Sequence, residues 1–175
     1  MMQMSQRLTG AALLILGLST PAMCQPMVPP PADVVSLSGP RVGFTVLSQS
    51  TIDTLKLERQ ITVTPLISQF GWQFEKQFYS TENGPTAVTE AVVLLGGLDQ
   101  GVAIPSLSWL VGVRTREGAE FGIGPNITPA GVALAIAAGI TFRAGTLNVP
   151  VNFAVVPSRS GTRVSVLTGF SLRRR

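Results

Sequence analysis

Histidine is absent from this chain of 175 residues, and cysteine occurs once, as Cys24. Without histidine the chain cannot form a Ser-His-Asp triad, a Cys-His pair or a histidine-rich zinc site. The glycine-containing segments at 96–97 and 124–126 lack the spacing and the following Lys and Ser/Thr of a phosphate-binding loop. We therefore expect a protein that is not an enzyme and that uses no cofactor and no metal ion.

Charged residues are also scarce. Asp, Glu, Lys and Arg make up 13 % of the chain, roughly half the share in an average soluble protein. A nucleic-acid-binding protein presents a clustered basic patch, so nucleic acid is not expected as a partner. The basic tail 173–175 is expected to be a solvated end, with contact to phosphates or anionic lipid as its alternative.

Long apolar runs are missing as well. The apolar run 11–18 is too short to span a bilayer as a helix. It follows a short basic start that contains Arg7 and precedes the small residue Ala22, a pattern typical of a secretory signal. We predict a signal peptide over 1–24, cleaved after Cys24. The alternatives are a retained anchor helix and a retained, lipidated Cys24.

The remaining chain changes character at residue 41. Residues 25–40 contain five prolines and no periodicity, and predict an extended linker. Residues 41–172 contain short segments of alternating polarity separated by turn signals. Ser50 and Asp53 resemble a helix capping box and predict a short helix near 50–57. The eight segments are 42–48, 61–79, 86–95, 107–115, 119–126, 131–143, 147–156 and 163–172.

This rhythm predicts an all-β fold, an antiparallel up-and-down β-barrel of about eight strands in one domain over 41–172. Two segments, 86–95 and 129–139, are apolar enough to be buried helices instead, because periodicity does not decide short apolar runs. The pattern of 131–143 favours a strand, since Val132, Leu134 and Ile136 alternate with alanines.

The stretch SQFGWQFEKQFYS, residues 68–80, shows which way the bulky faces point. Large apolar residues alternate there with Gln and Gly. A soluble barrel carries mixed charges on its outer face, whereas the less apolar faces of this chain are small and sparsely charged. Small residues fit the interior of a narrow barrel, so the bulky residues are expected to face lipid. An ordinary water-surrounded β core is the alternative. The candidate lipid-facing residues are Phe70, Trp72, Phe74, Trp109, Phe121, Phe142, Phe153 and Phe170.

The same alternation places most of the strand charges on the inner face. Buried charges need partners, so we expect these side chains to pair and fill the lumen. A narrow pore or a polar ligand site lined by the same residues is the alternative. The candidate lumen network consists of Glu75, Arg114, Glu120, Arg143 and Arg163.

The connections add a further indication. The second, fourth and sixth are expected to be compact, and the first, third and fifth longer, as in outer-membrane barrels. Over 41–172 the chain resembles, in this architecture alone, the small eight-stranded outer-membrane barrels of Gram-negative bacteria. The resemblance implies an outer-membrane location, a lipid bilayer as partner and a structural, interaction or small-solute role. The alternative is a soluble periplasmic or secreted β-rich module that binds an apolar ligand or a partner protein.

Overall fold

The computed structural model of the protein describes residues 37–80 and 84–172. The predicted signal peptide 1–24 with Cys24, most of the linker 25–40 and the basic tail 173–175 lie outside the described residues. The described chain forms a closed antiparallel β-barrel of eight strands, which confirms the predicted fold class. The strands are β1 (Gly39–Leu47), β2 (Leu66–Ser80), β3 (Thr86–Gly96), β4 (Ile104–Arg114), β5 (Ala119–Thr128), β6 (Gly131–Ala144), β7 (Leu147–Ser158) and β8 (Gly161–Gly169), and a two-residue β9 (Ser171–Leu172) follows.

Each strand pairs with the next one along the chain, and β1 closes the ring by pairing with both β2 and β8. The ladder between β6 and β7 completes the wall. After a break at Phe170, β9 pairs with the beginning of β7. The predicted up-and-down order is therefore confirmed.

Both segments with a rival helical interpretation are strands, β3 and β6. In β6 the side chains of Ala133, Ala135 and Ala137 are buried or half-buried, while those of Val132 and Leu134 are exposed. This two-residue period matches a strand with one face inside the barrel. The helical alternative for 86–95 and 129–139 is wrong.

One short helix is present where it was predicted. Helix α1 (Gln49–Arg59) follows β1, and a 3-10 turn (Leu98–Gln100) follows β3. Neither helical segment of the described chain has the length and apolar character needed to traverse a bilayer.

The barrel begins earlier than expected. Strand β1 starts at Gly39, inside the predicted linker, and Leu37 before it is already buried. Its carbonyl accepts a hydrogen bond from Nη2 of Arg41 at 2.6 Å, and the Ser38 hydroxyl accepts one from the Glu75 backbone N–H at 2.9 Å. These contacts attach residues 37–40 to the barrel wall.

The connections differ from the predicted alternation of long and short. At the end of the barrel that carries α1, called the helix end, the connections are 48–65, 97–103, 129–130 and 159–160. At the opposite end, called the turn end, they are 81–85, 115–118 and 145–146. The fifth connection is only two residues long because 126–128 continue β5 and pair with β6. The expected contrast therefore holds for the first and third connections and is wrong for the fifth.

Candidate functional site

The outer face of the barrel is apolar around its whole circumference. Each of the eight strands carries at least one exposed large apolar side chain. The eight aromatic residues predicted to face lipid all lie on this face, with exposed fractions between 46 % and 58 %. Among the charged residues of β1 to β8, Lys76 and Arg143 are exposed, and the others lie inside. That this outer face contacts lipid stays a prediction.

The interior contains a charged cluster, formed by Arg41, Glu75, Glu90, Arg114 and Glu120, on five successive strands. Arg114 on β4 is its centre. Its Nη1 donates to Oε1 of Glu75 at 2.8 Å, and its Nη2 bonds the other oxygen of the same carboxylate. Its Nε donates to Oε1 of Glu120 at 2.9 Å, and a Glu90 oxygen lies 4.0 Å from its Nη2. One guanidinium thus holds three carboxylates.

The strand register explains how these groups meet. Arg114 and Glu120 are direct partners across β4 and β5, and Glu75 and Glu90 are direct partners across β2 and β3. Because side chains of directly paired residues lie on the same face of a sheet, all four project into the lumen. Arg114 reaches across β3 to Glu75, which lies two strands away.

Neighbouring groups complete the cluster. Nε of Arg41 donates to Oε1 of Gln73 at 3.0 Å, and the Thr141 hydroxyl donates to Oε1 of Glu120 at 2.9 Å. All members except Glu75 are buried as residues, and the Glu75 side chain is fully shielded from solvent. Buried charges are tolerated when they are paired and hydrogen-bonded, and this network meets that condition for Arg114, Glu75 and Glu120.

The structure brings together three of the five predicted network residues, namely Glu75, Arg114 and Glu120. Arg163 is buried but lies in a separate layer. Arg143 does not join the network: its side chain is exposed and its Nη2 donates to the Arg116 carbonyl at 3.2 Å. Arg143 pairs with Asn148 next to the 145–146 turn, and the side chain of Asn148 is buried there, whereas that of Arg143 extends to the 115–118 turn at the same end of the barrel.

Sequence reasoning missed Arg41 as a member and did not assign Glu90. The predicted first strand starts at residue 42, so Arg41 received no side-chain direction, although it alternates in step with Gly43 and Thr45 on β1. Both Arg41 and Thr45 are buried, so the two-residue alternation along β1 could have placed Arg41 inside the barrel. Strand β3 is apolar on both faces, so no pattern assigned Glu90 to a side.

Arg163 belongs to a second polar layer, closer to the helix end. Its Nη1 donates to the Thr128 hydroxyl at 2.7 Å and its Nη2 to Oδ1 of Asn126 at 3.0 Å. Nδ2 of Asn126 in turn donates to the hydroxyls of Ser106 and Ser108, both at 2.9 Å. Asn126 therefore links Arg163 to the two serines of β4.

A cavity lies inside the barrel, lined by residues of both polar layers. The space open to the centre of a water-sized sphere is about 90 Å³, enough for several water molecules. Most of its wall is apolar, but Gln69 and Asn152 line it as well, and their Oε1 and Oδ1 atoms have no hydrogen-bond partner among the residues that the structure describes. Its apolar lining includes Leu47, Leu55, Ile67, Val92, Leu94, Leu110, Ala135, Ala137 and Leu167.

Helix α1 closes this cavity at the helix end. Ile52 and Leu55 of the helix pack against strand residues in one buried cluster, called the plug. Gly161 has φ of 112°, and a Cβ there would lie 2.1 Å from the Ser48 hydroxyl, so only glycine fits beside the start of the helix. The strand and loop members of the plug are Leu47, Val63, Ile67 and Ile104.

The interior contains arginine, carboxylate, amide and hydroxyl side chains beside apolar ones. In the described part of the chain, no group of three or more His, Cys, Asp or Glu residues is placed to hold a metal ion. The chain matches no protein-family model, no curated protein and no solved structure.

Proposed function

We propose that the protein is a non-enzymatic outer-membrane β-barrel with a closed lumen and a structural or interaction role. The observation that carries the proposal is the apolar outer face, which runs over all eight strands while the buried charges lie inside. Lipid-facing apolar residues around a polar interior are the pattern of transmembrane β-barrels.

The size of this face supports the same conclusion. A soluble monomer rarely exposes an apolar patch larger than a few hundred Å². Here half-exposed aromatic side chains occur on β1, β2, β4, β5, β6 and β7, and exposed β-branched residues occur on β3 and β8. Contact with hydrocarbon removes this surface from water, and Lys76 reaches the polar headgroups with its long stem.

The filled interior supports a structural or interaction role over solute passage. The charged cluster occupies one level of the lumen, and the plug closes the helix end. A channel needs a continuous water path. We expect no stepwise ion conductance when the purified protein is added to a planar bilayer.

A soluble periplasmic or secreted module that binds an apolar ligand is the second candidate. The observation that favours it is the enclosed cavity with its mostly apolar wall. Under this alternative the outer face would need a protein partner to cover it.

Fractionation in a Gram-negative host tests the proposal. The tagged chain is expressed, and the envelope is washed with high salt, with carbonate and with detergent. Release by detergent alone, together with heat-modifiable gel migration and a β-type circular dichroism spectrum, supports a membrane barrel. Recovery in the soluble periplasm contradicts it.

The two tryptophans offer a direct test of the outer face. Trp72 and Trp109 are the only tryptophans of the chain, and both are exposed on the outside. Trp109 lies midway along β4, so we expect strong fluorescence quenching by lipids brominated near the centre of the acyl chain. The Trp72→Phe and Trp109→Phe variants report each position separately. Quenching by aqueous iodide and not by brominated lipid would contradict the membrane assignment.

A further inference from the structure

Arg163 is the one buried arginine of the described strands that lies outside the charged cluster, and none of the described residues is its acidic partner. It is 6 % exposed. Among the described residues, no carboxylate oxygen lies within 4.0 Å of its guanidinium, and all three carboxylate contacts within that distance are made by Arg114. Its two protein partners, Thr128 and Asn126, are neutral. A buried charge without a counter-charge is costly, so this position calls for an anion.

The hydrogen bonds of Arg163 are also incomplete. A guanidinium carries five N–H donors, and the described residues accept two of them, one from Nη1 and one from Nη2. Three donors remain for a further acceptor. A planar carboxylate matches the donor geometry of a guanidinium and forms strong charge-assisted bonds with it.

The charged cluster does not supply this anion. Its three carboxylates surround Arg114, and the distances run from hydrogen-bond contact to 4.0 Å. Glu90 and Arg163 both line the cavity, but no ion pair joins them. An anionic group in the cavity would be attracted by Arg163, which fixes the end of the molecule that lies beside the guanidinium.

The cavity provides the rest of a binding site. Apart from Arg163 and a few other polar residues, the wall of the cavity is mostly apolar. Its apolar lining residues include Val92, Leu110, Ala135 and Leu167. Its volume of about 90 Å³, measured for the centre of a water-sized sphere, fits a molecule of roughly six to nine heavy atoms, at 10–15 Å³ of such space per water-sized group. The unpartnered Oε1 of Gln69 shows that the site also offers a hydrogen-bond acceptor.

We propose that this cavity binds a small organic carboxylate with an apolar body, whose carboxylate pairs with Arg163 and whose body lies against the apolar wall. The proposal concerns the lumen and does not depend on whether the outer face contacts lipid or a protein partner. The outer face of the barrel does not indicate any ligand for the lumen, whereas Arg163 and the cavity indicate a carboxylate.

A crevice in the outer surface of the wall lies next to the cavity. The ladder between β6 and β7 begins at the pair Ile136 and Val155, so 131–135 and 156–158 have no partner across this seam. A surface crevice lies there, and Ala130 lines both the crevice and the cavity. The remaining crevice residues include Thr54 and Glu58 of α1 and Arg159 of the last connection.

The test uses the full chain in lipid nanodiscs and hexanoate labelled with ¹³C at its carboxyl carbon. Hexanoate has eight heavy atoms and partitions weakly into lipid, so empty nanodiscs give a clean background. We expect the protein to shift and broaden the carboxyl resonance of the labelled hexanoate. An excess of unlabelled hexanoate should displace the labelled molecule and reverse this change. We expect no displacement by hexanol or by hexylammonium, because neither molecule carries a negative charge that could pair with Arg163.

Three variants assign the site. Arg163→Gln should weaken binding by at least about tenfold, since it removes the charge-assisted hydrogen bonds to the carboxylate, and tenfold corresponds to about 1.4 kcal/mol. Ala135→Leu, which keeps the arginine and fills the cavity, should also weaken it at least tenfold. Arg143→Gln, which removes an exposed arginine, should leave binding unchanged. Circular dichroism and heat-modifiable migration establish that each variant is folded.

Three results would overturn the proposal. The first is the lack of any displaceable hexanoate signal with folded wild-type protein, and the second is equal binding by folded Arg163→Gln. The third is binding of hexyl phosphate in place of hexanoate, which would overturn the assignment to a carboxylate. Because the assay works in nanodiscs and in detergent micelles alike, these results are independent of the fractionation that tests the membrane location.

Discussion

Arg114 on β4 and Glu75 on β2 form a two-point ion pair across the intervening strand β3. Both guanidinium Nη atoms bond the carboxylate, Nη1 to Oε1 at 2.8 Å. The Glu75 side chain is fully shielded from solvent, and that of Arg114 nearly so. Because the partners come from two strands that do not pair with each other, the contact holds the wall curved at this level of the barrel.

Glu75→Gln is expected to destabilise the barrel by about 3 kcal/mol, because removing one partner of a buried pair leaves the other charge uncompensated. The measurement is urea-induced unfolding in lipid vesicles, followed by tryptophan fluorescence. Glu117→Gln is the matched control, since Glu117 lies exposed in the 115–118 turn, and it should change the free energy by less than about 0.5 kcal/mol. A loss below about 1 kcal/mol for Glu75→Gln would show that the pair contributes little.

Val111→Arg distinguishes lipid from water at the outer face. Val111 is 51 % exposed on β4. If this surface meets hydrocarbon, an arginine there costs about 2–4 kcal/mol, whereas on a water-facing surface the change stays within about 0.5 kcal/mol. The free energy of unfolding of the variant in vesicles decides between them, and we expect the larger value. Leu57→Arg on the exposed side of α1 is the control and should be near neutral.

The plug predicts opposite results for two leucines of the same helix. Leu55 is 2 % exposed within the plug, and Leu57 is 81 % exposed. We expect Leu55→Ala to reduce the stability of α1 by about 2–5 kcal/mol through lost burial and the cavity left behind. We expect Leu57→Ala to change it by less than about 0.5 kcal/mol. Amide hydrogen exchange over 49–59 measures both, and equal exchange in the two variants would contradict the packing of α1 on the barrel.

Asp99 in the 97–103 connection predicts a pH effect at the helix end. The Ser68 hydroxyl donates to its carboxylate at 2.5 Å, and this hydrogen bond lowers the pKa of Asp99 below its usual value. A lowered folded-state pKa means that the contribution to stability is complete above the ordinary Asp pKa. That contribution is lost as the pH falls through the folded-state value.

Ser68→Ala should therefore raise the pKa of Asp99 towards its usual value. The measurement is a ¹³C NMR titration of the aspartate carboxyl groups. Ser108→Ala, a change inside the lumen on β4, is the control and should leave the titration of Asp99 unchanged. An unaltered Asp99 titration in Ser68→Ala would show that another group lowers its pKa.

The fold was predictable because large apolar and small or polar residues alternate along most of the strands. In β4, for example, Trp109 and Val111 are exposed while the intervening Leu110 is buried in the wall's interior cluster. The same two-residue period made β6 recognisable as a strand, although its composition also suits a buried helix. Strand ends were less predictable, since the segment 126–128 carries turn-like residues and still pairs with β6.

The site was predictable only where two features agree: the alternation of side chains along a strand, which gives the face, and the pairing register between strands, which gives the neighbour. Glu120 and Arg114 alternate clearly with bulky neighbours, and direct pairing then brings them together. Glu90 has Ala91 and Thr89 as neighbours, so alternation carries no information there. The absence of an acidic partner for Arg163 depends on distances across the lumen, which no local pattern encodes.

The position of α1 in the chain has a consequence for how the mouth of the barrel can open. The helix lies between β1 and β2, two strands that pair with each other, so it is tethered at both ends. A tethered segment rebinds its site at a high effective concentration, and closing a loop of this length takes well under a microsecond. Disruption of plug contacts should therefore produce brief, repeated openings of the mouth, and the segment cannot dissociate from the barrel as a separate domain would.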